Sequence, residues 1–287
     1  MQYRQLGRTG ERLSVIGFGG MLVKGESQAE ADRRVASAVD RGVNYFDISP
    51  MYGDAEERLG PALKPHRHRV FLACKTRQRS AAGAEQELTR SLTRLQTDHV
   101  DLYQLHSMAE KAEVEQVFAP EGAMELFLRA RQEGKIRYIG FSAHSADAAV
   151  ELLKRFPFAS VLLPLNFCSY LKGNFGPQVV KVAQQMGVGL LALKAMARTA
   201  RLEGTRQEET RWSKCWYEPL DDERTAVLAL RFTLSLPITA ALTPGHPEFW
   251  EIALREAQNP GPLTQEEENL LRELAARIEP LFSAATA

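Results

Sequence analysis

Apolar positions along the chain fall into two alternating patterns. Short runs that are apolar almost without interruption recur as SVIGFGG (14–20), VNYFD (43–47), VFLACK (70–75), VDLYQLH (100–106), RYIGFS (137–142), SVLLPLN (160–166), VGLLALK (188–194) and ITAALTPG (238–245). They do not alternate apolar with polar, which is the pattern of strands covered on both faces, as in a parallel sheet. Between them lie longer segments of helical periodicity. SQAEADRRVASAVDRG carries Val35, Ala38 and Val39 on one face, with Ser27 as the N-cap and Gly42 as the stop. GAEQELTRSLTRLQ, GAMELFLRARQEGK, SADAAVELLKRF, GPQVVKVAQQMG and DERTAVLALRFTLSL repeat the theme. Strand then helix, eight times over at roughly thirty residues per unit, predicts an α/β fold of the (β/α)8 TIM-barrel type. A doubly wound open sheet is the alternative, but it seldom needs eight units, and no GxGxxG follows the first strand.

Two segments stand outside the repeat. QYRQLGRTGERLSV has Gly-bounded turns between short β-prone runs and predicts a β-hairpin ahead of the first barrel strand. Residues 198–221, RTARLEGTRQEETRWSKCWYEPLD, form a long polar seventh βα loop. Its Trp212, Trp216 and Tyr217 serve either as an apolar lid or as packing that anchors the loop. With no low-complexity tract and no linker, residues 1–287 are expected to form a single domain.

Composition narrows the function classes. Hydrophobic residues make up 44% and charged residues 25%, a globular balance that argues against disorder. A formal net charge of +0 gives no field favouring nucleic acid or anionic lipid, and it leaves the oligomeric state open. No stretch approaches a membrane span, and MQYRQLGRTGERLSVIG lacks the apolar core of a signal peptide. Cys74, Cys168 and Cys215 show neither CxxC pairing nor zinc-ligand spacing, so they read as reduced thiols in a cytoplasmic protein without a metal site.

The chemistry-bearing residues cluster at one end of the repeat. In a barrel, side chains at the C-terminal ends of the strands face one shared cavity. Those ends carry Asp47, Lys75, His106, Ser142, Asn166 and Lys194, where buried strands ordinarily finish on apolar residues or turn signals. Tyr52 follows five residues after Asp47 and directly precedes Gly53. Singly, each has an ordinary role: a turn cap, a packed histidine, a half-buried tyrosine, a lysine snorkelling at the rim. A buried lysine needs an opposite charge, and Asp47 on the adjacent strand supplies one. A structural ion pair then accounts for two of the four and leaves Tyr52 and His106 unexplained.

FDISPMYG with Glu56 and Gly60 after it, then LACK, then DLYQLH, then IGFS resemble, in that order, the motifs of the aldo-keto reductase superfamily. The resemblance extends from LGRTG to ALTPG, nearly the whole chain, and its details are those of a less-studied bacterial-type branch. It implies a (β/α)8 barrel plugged by an N-terminal hairpin, and reduction of a small-molecule aldehyde or ketone by NADP(H), with NAD(H) as the alternative. It also places a catalytic tetrad on Asp47, Tyr52, Lys75 and His106. The residue types suit that role. A free phenol, with a pKa of about 10, is a reluctant acid. An ammonium at Lys75 stabilises its phenolate and is expected to lower that value, while Asp47 keeps Lys75 charged. His106 donates a hydrogen bond to the substrate oxygen or relays the proton to it.

The same resemblance assigns cofactor contacts to Gly20, Met21, Ser142, Asn166, Lys194, Met196, Arg198, Gly245 and Arg255. Ser142 would meet the nicotinamide carboxamide. The Asn usual after it is replaced by Ala143, and the Gln usual on the next strand by Leu162. ALKAMARTAR would lie along the pyrophosphate, and Gly245 would open a helix whose N-terminus accepts phosphate. The Ser/Thr-rich run usual there reads His246, Pro247 and Glu248. These departures prompt a second reading, a cofactor-binding redox sensor or interaction protein with weak catalysis. A third, a metal-dependent hydrolase or lyase built on Asp47 and His106, requires further clustered ligands that the strand ends do not supply. Substrate choice would lie in the loops near 22–26, 107–120, 167–175 and 198–221.

Overall fold

The computed structural model describes residues 1–258 and 261–284. Eight parallel strands close into a barrel: β1 (Ile16–Gly19), β2 (Tyr45–Asp47), β3 (Phe71–Thr76), β4 (Val100–Met108), β5 (Ile136–Ala143), β6 (Ser160–Pro164), β7 (Gly189–Leu193) and β8 (Ala240–Leu242). Neighbours in sequence are neighbours in space. The ring shuts where β8 pairs with both β7 (Ala240↔Leu191) and β1 (Ala241↔Ile16). Each predicted strand is present and parallel, so the barrel, not the open sheet, is the fold.

Helices fill the crossovers, and their ends follow the expected chemistry. Ser27 caps the helix Gln28–Asp40 by accepting the Glu30 N–H. Ser145 does the same for Ala146–Arg155, and Asp222 for Glu223–Ser235. A last helix, Gln265–Arg277, starts with a capping box of Thr264 and Glu267.

Two hydrophobic clusters result. One lies between the strands and the surrounding helices. The other fills the barrel interior, where Leu6 and Leu13 pack with Tyr45, Phe71, Leu102 and Leu191. Those two leucines come from the N-terminal hairpin, Tyr3–Gln5 paired antiparallel with Arg12–Ser14, which plugs the end of the barrel remote from the strand C-termini. Gly7 makes the close approach feasible. Its φ is +50°, and a Cβ there would sit 2.4 Å from the Gly189 backbone nitrogen.

The long seventh loop is tied down rather than extended. Ala197–Ala200 pairs antiparallel with Tyr217–Pro219, forming a small two-stranded flap over the strand ends. No helix among the described residues is long and apolar enough to cross a membrane.

If the hairpin contributes core and not merely a cover, Leu13→Ala should lower stability by about 3 kcal/mol. Urea unfolding would show it as a lower midpoint at unchanged slope, whereas an unmoved midpoint would mean the plug is dispensable.

Candidate active site

Asp47 ends β2 and pairs in register with Ala73, so Lys75, two residues on, points to the same interior face of β3. Both side chains are almost fully buried, and the Lys75 ammonium contacts the Asp47 carboxylate directly. Further hydrogen bonds offset the loss of water. Tyr45 Oη and Gln104 Nε2 each donate to Asp47 Oδ2 at 3.2 Å, and Lys75 Nζ also reaches the Ile48 carbonyl at 3.2 Å. Gln104 is the register partner of Lys75 on β4, which puts it beside the pair.

Tyr52 sits half-buried where the chain turns out of β2, and Lys75 Nζ lies 5.4 Å from its ring centroid. His106 meets Tyr52 edge-on, with centroids 6.3 Å apart. Beyond His106 the strand buckles. The β4–β5 register shifts between Leu105 and Met108, and Ser107 adopts a φ of +56°. Two polar groups hold this kink: Ser142 Oγ accepts the Ser107 N–H at 2.8 Å, and Arg79 donates to the His106 carbonyl at 2.7 Å. Arg79 is itself held by Glu113 at 2.9 Å.

The electrostatics differ from the expectation in one respect. Burial pushes the Tyr52 phenol up, Lys75 pulls it down and Asp47 adds to the upward push; the net direction is upward. The expected lowering of the Tyr52 pKa is therefore corrected: desolvation outweighs the ammonium, and Tyr52 keeps its proton near neutrality. Burial also pushes Lys75 down, but Asp47 and the Tyr52 phenol together outweigh it and its net shift is upward. Burial, then the Lys75 charge, hold His106 down to about 2. His144 falls to about 3, through burial and Lys194. Lys194, buried with Lys75 nearby, falls to about 7.

A cavity of about 310 Å³ opens over the strand ends, with Asp47 and Tyr52 at its base. Met21, Lys24, Lys194, Thr243 and Gly245 form one wall, and Lys214 to Tyr217 of the long loop form the other. A wider groove of about 760 Å³ runs between Lys64, Thr93 and Lys135 and holds none of these residues. Lys24 and Lys194 have no carboxylate partner among the described residues; Lys24 brings unpaired positive charge to the cavity, and Lys194, held down to about 7, is only partly protonated near neutrality. Lys194 Nζ lies 3.2 Å from His144 Nε2 and 5.2 Å from the ring centroids of both Trp216 and Phe282.

Of the cofactor residues expected from sequence, Met21, Lys194 and Gly245 line the cavity. Gly20 lies beneath it, where a Cβ would strike Ile48 at 2.1 Å. Asn166 uses Oδ1 to cap the helix Phe167–Leu171, while its buried Nδ2 has no partner. Met196 is buried, and its carbonyl accepts the Leu220 N–H at 2.9 Å. Arg198 is exposed on the flap. Arg255 is not brought to the cavity. It lies in the last turn of the helix Pro247–Glu256, about 12 Å along the axis from its first residue, and pairs with Glu223. Leu162 faces the barrel interior.

The loop aromatics divide. Trp212 packs on Phe249 and His246 and Tyr217 is buried, whereas Trp216, 48% exposed, stands at the cavity wall. Sequence reasoning missed Tyr45, Gln104 and Ser49. The signal available was period-two spacing, since each lies two residues from Asp47 or His106 on the same chain segment. Among the described residues no group of three or more His, Cys, Asp or Glu is placed to hold a metal.

A closed parallel barrel with a buried Asp–Lys pair, a tyrosine and a histidine at its rim defines the class of TIM-barrel oxidoreductases. Residues 15–277 match the model of the Aldo/keto reductase family, and the chain belongs to that family. It is 28% identical to the oxidoreductase YqkF of Bacillus subtilis, over 93% of this chain and 94% of that protein. It is 29% identical to L-galactose dehydrogenase of Arabidopsis thaliana, over 69% and 66%. Among solved structures, the holo form of aldo-keto reductase AKR11C1 from Bacillus halodurans superposes with a TM-score of 0.73 at 26% identity, covering 100% of this chain and 99% of that one. The protein is thus an oxidoreductase of a family that acts on carbonyl compounds and generally uses NAD(P)H.

Breaking the ion pair from one side should be worse than removing it. Asp47→Asn strands a buried ammonium and is expected to cost about 3 kcal/mol or more, while Asp47→Asn with Lys75→Met should recover part of that loss. Urea unfolding of the three proteins measures the difference, and a double variant less stable than the single would contradict it.

The imidazoles give a pH signature. Unfolded, His106 and His144 take up protons below about pH 6.5; folded, they stay neutral down to about 2 and about 3. The unfolded chain therefore binds more protons across that interval, and stability should fall as pH is lowered through it. His106→Gln or His144→Gln should each flatten the stability profile between about pH 6.5 and 4.5, by up to ~1.4 kcal/mol per pH unit. Parallel profiles for parent and variants would count against neutral buried imidazoles.

Proposed function

We propose that the protein reduces an aldehyde or ketone carbonyl of a small molecule to the alcohol, using NADP(H), with Tyr52 as the proton donor. The observation that carries this reading is Tyr52 at the base of the cavity, with His106 edge-on to its ring and the Asp47-locked Lys75 buried beside it.

The residues present suit a dinucleotide. The cavity wall carries the unpaired Lys24 ammonium and, beside it, Lys194, held down to about 7 by burial and Lys75, whose protonated form an anionic pyrophosphate would favour. Thr243 Oγ1 and Asn166 Nδ2 are buried polar atoms without partners, available to a ligand's hydrogen-bonding groups. Ser142 spends acceptor capacity on the Ser107 N–H but keeps its own proton to donate. Gly245 precedes a helix whose N-cap residue, His246, turns its side chain to the Lys214 N–H at 3.1 Å rather than to the helix. The first-turn N–H groups are left open to phosphate. Excess positive charge favours NADP(H), the more anionic cofactor, with NAD(H) the alternative. Arg255 has no part in this assignment.

A nicotinamide held there would supply the hydride to the carbonyl carbon. The protein's own work is at oxygen. Tyr52, protonated in the resting site, transfers its proton as negative charge develops there, and Lys75 stabilises the phenolate left behind. Asp47 fixes the Lys75 ammonium and keeps it charged. His106, neutral, contributes a hydrogen bond to the same oxygen. Trp216 forms the apolar side of the cavity against which a substrate's carbon skeleton packs.

Titrating NADPH and NADH while following Trp fluorescence, then assaying a panel of aldehydes and ketones at the nicotinamide band, tests the reading. Binding without oxidation of either nucleotide across the panel would replace it with a cofactor-binding sensor. Tyr52→Phe should lower turnover by at least ~10²-fold and leave NADPH affinity within about threefold of the parent, because the phenol's weight is in the transition state. Turnover close to that of the parent would remove Tyr52 from its role.

A further inference from the structure

We propose that Ser49 is a positioning residue for His106: its hydroxyl donates to Nδ1 and holds the imidazole as the Nε2–H tautomer, facing the site of Tyr52. This deepens the reductase reading and rests on it for its catalytic part.

The geometry starts in the turn after β2. Ser49 lies two residues beyond Asp47, buried, with Oγ 3.2 Å from His106 Nδ1. The same Oγ accepts the Met51 N–H at 3.2 Å, an interaction that shapes the turn leading to Tyr52. A hydroxyl has one proton to give and two lone pairs to fill. With the Met51 N–H on one lone pair, the acceptor in reach of the Ser49 proton among the described residues is Nδ1. The opposite arrangement, with Nδ1–H donating to Oγ, would leave the Ser49 proton buried and unpaired, at the full desolvation cost of that donor.

The rest of the histidine leaves the ring little freedom. Its carbonyl is held by Arg79 at 2.7 Å, and the next residue's N–H by Ser142 at 2.8 Å. The backbone of His106 is thus fixed, and the Ser49 contact settles which ring nitrogen carries the single proton. An imidazole kept neutral by burial and by Lys75 has only one. A bare Nε2 would present a lone pair to a carbonyl oxygen and repel it, whereas Nε2–H attracts the oxygen increasingly as negative charge develops. One serine therefore links the turn that carries Tyr52 to the tautomer of His106, so both donors are set by the same four residues of chain, Ser49 to Tyr52.

The test reads the resting protein first. With histidine labelled by 15N, two-bond 1H–15N correlation spectra distinguish the tautomers of His106, assigned by comparison with His106→Gln. The parent is expected to show Nε2–H alone, and Ser49→Ala a mixture or Nδ1–H. In carbonyl reduction, Ser49→Ala should lose about tenfold in kcat, the worth of one hydrogen bond in the transition state, with NADPH affinity unchanged. Ser49→Thr, which keeps the hydroxyl, should restore both the spectrum and most of the rate. Nδ1–H in the parent, an unchanged tautomer in Ser49→Ala, or equal losses in Ser49→Ala and Ser49→Thr would each overturn the assignment. The parent spectrum decides even if Ser49→Ala does not fold. It is also independent of turnover: a parent with the expected tautomer but no carbonyl reduction would refute the reductase reading and leave the Ser49–His106 bond standing.

Discussion

A single buried ion pair, Lys75 on Asp47, is the constraint around which the site is arranged. Neither charge is tolerable alone in the barrel interior, and their mutual attraction repays desolvation only when the remaining valences are filled. Tyr45, Gln104 and the Ile48 carbonyl fill them. Each filler comes from β2, β3's neighbour β4 or the turn after β2, so the pair requires those elements to be in register. A slip of one residue in β3 would turn Lys75 outward and leave Asp47 uncompensated. The electrostatic requirement and the barrel geometry select the same structure, which is the consistency expected of a sequence that specifies one fold.

The field of that pair then sets the protonation of its surroundings. Lys75 lies near the Tyr52 ring and contributes to the low values of His106 and Lys194. Its pull on Tyr52 is real but smaller than the push from burial. The resting state therefore holds a protonated phenol and a neutral imidazole side by side, two hydrogen-bond donors rather than a phenolate and an imidazolium. For the proposed reduction this is the useful arrangement. A site already charged would spend its stabilisation on the ground state, while neutral donors beside a fixed ammonium gain strength as the alkoxide forms.

Most of the barrel was legible because parallel strands covered on both faces are continuous apolar runs, and six of the eight runs ended on a polar residue. Asp47, Lys75 and His106 were visible as exceptions to that rule. Ser49 and Gln104 were not, because a serine in a turn and a glutamine in a strand have many uses, and only the register shows that they reach the Asp–Lys pair and the histidine. The direction of the Tyr52 shift was invisible for a related reason: sequence shows which charges are near, but not how much water is lost. The position of Arg255 away from the cavity follows from helix geometry. Eight residues past Pro247 is two turns along the axis, and the side chain ends beside Glu223, not at the helix start.

The two ends of the cavity are built by different means, and this bears on where the chain departs from its family. The end that holds Asp47, Lys75 and His106 rests on strands whose packing leaves little room for change. The other end rests on the long loop, joined to the barrel by Lys214 with Glu26 at 2.7 Å, by the Lys214 N–H on His246, and by Trp212 against Phe249. His246 stands where the family pattern has a phosphate-binding run, and its ring is committed to the loop. The His246 ring, held by the Lys214 N–H and Trp212, fixes the wall of the cavity. On the proposed reading, affinity for the dinucleotide then falls to ammoniums and backbone N–H groups, which recognise charge without demanding one geometry. Loop contacts that replace ligand contacts in this way shift specificity from the residues touching the cofactor to the residues shaping the space beside it. Trp216, half-exposed over Lys194, is the largest of these.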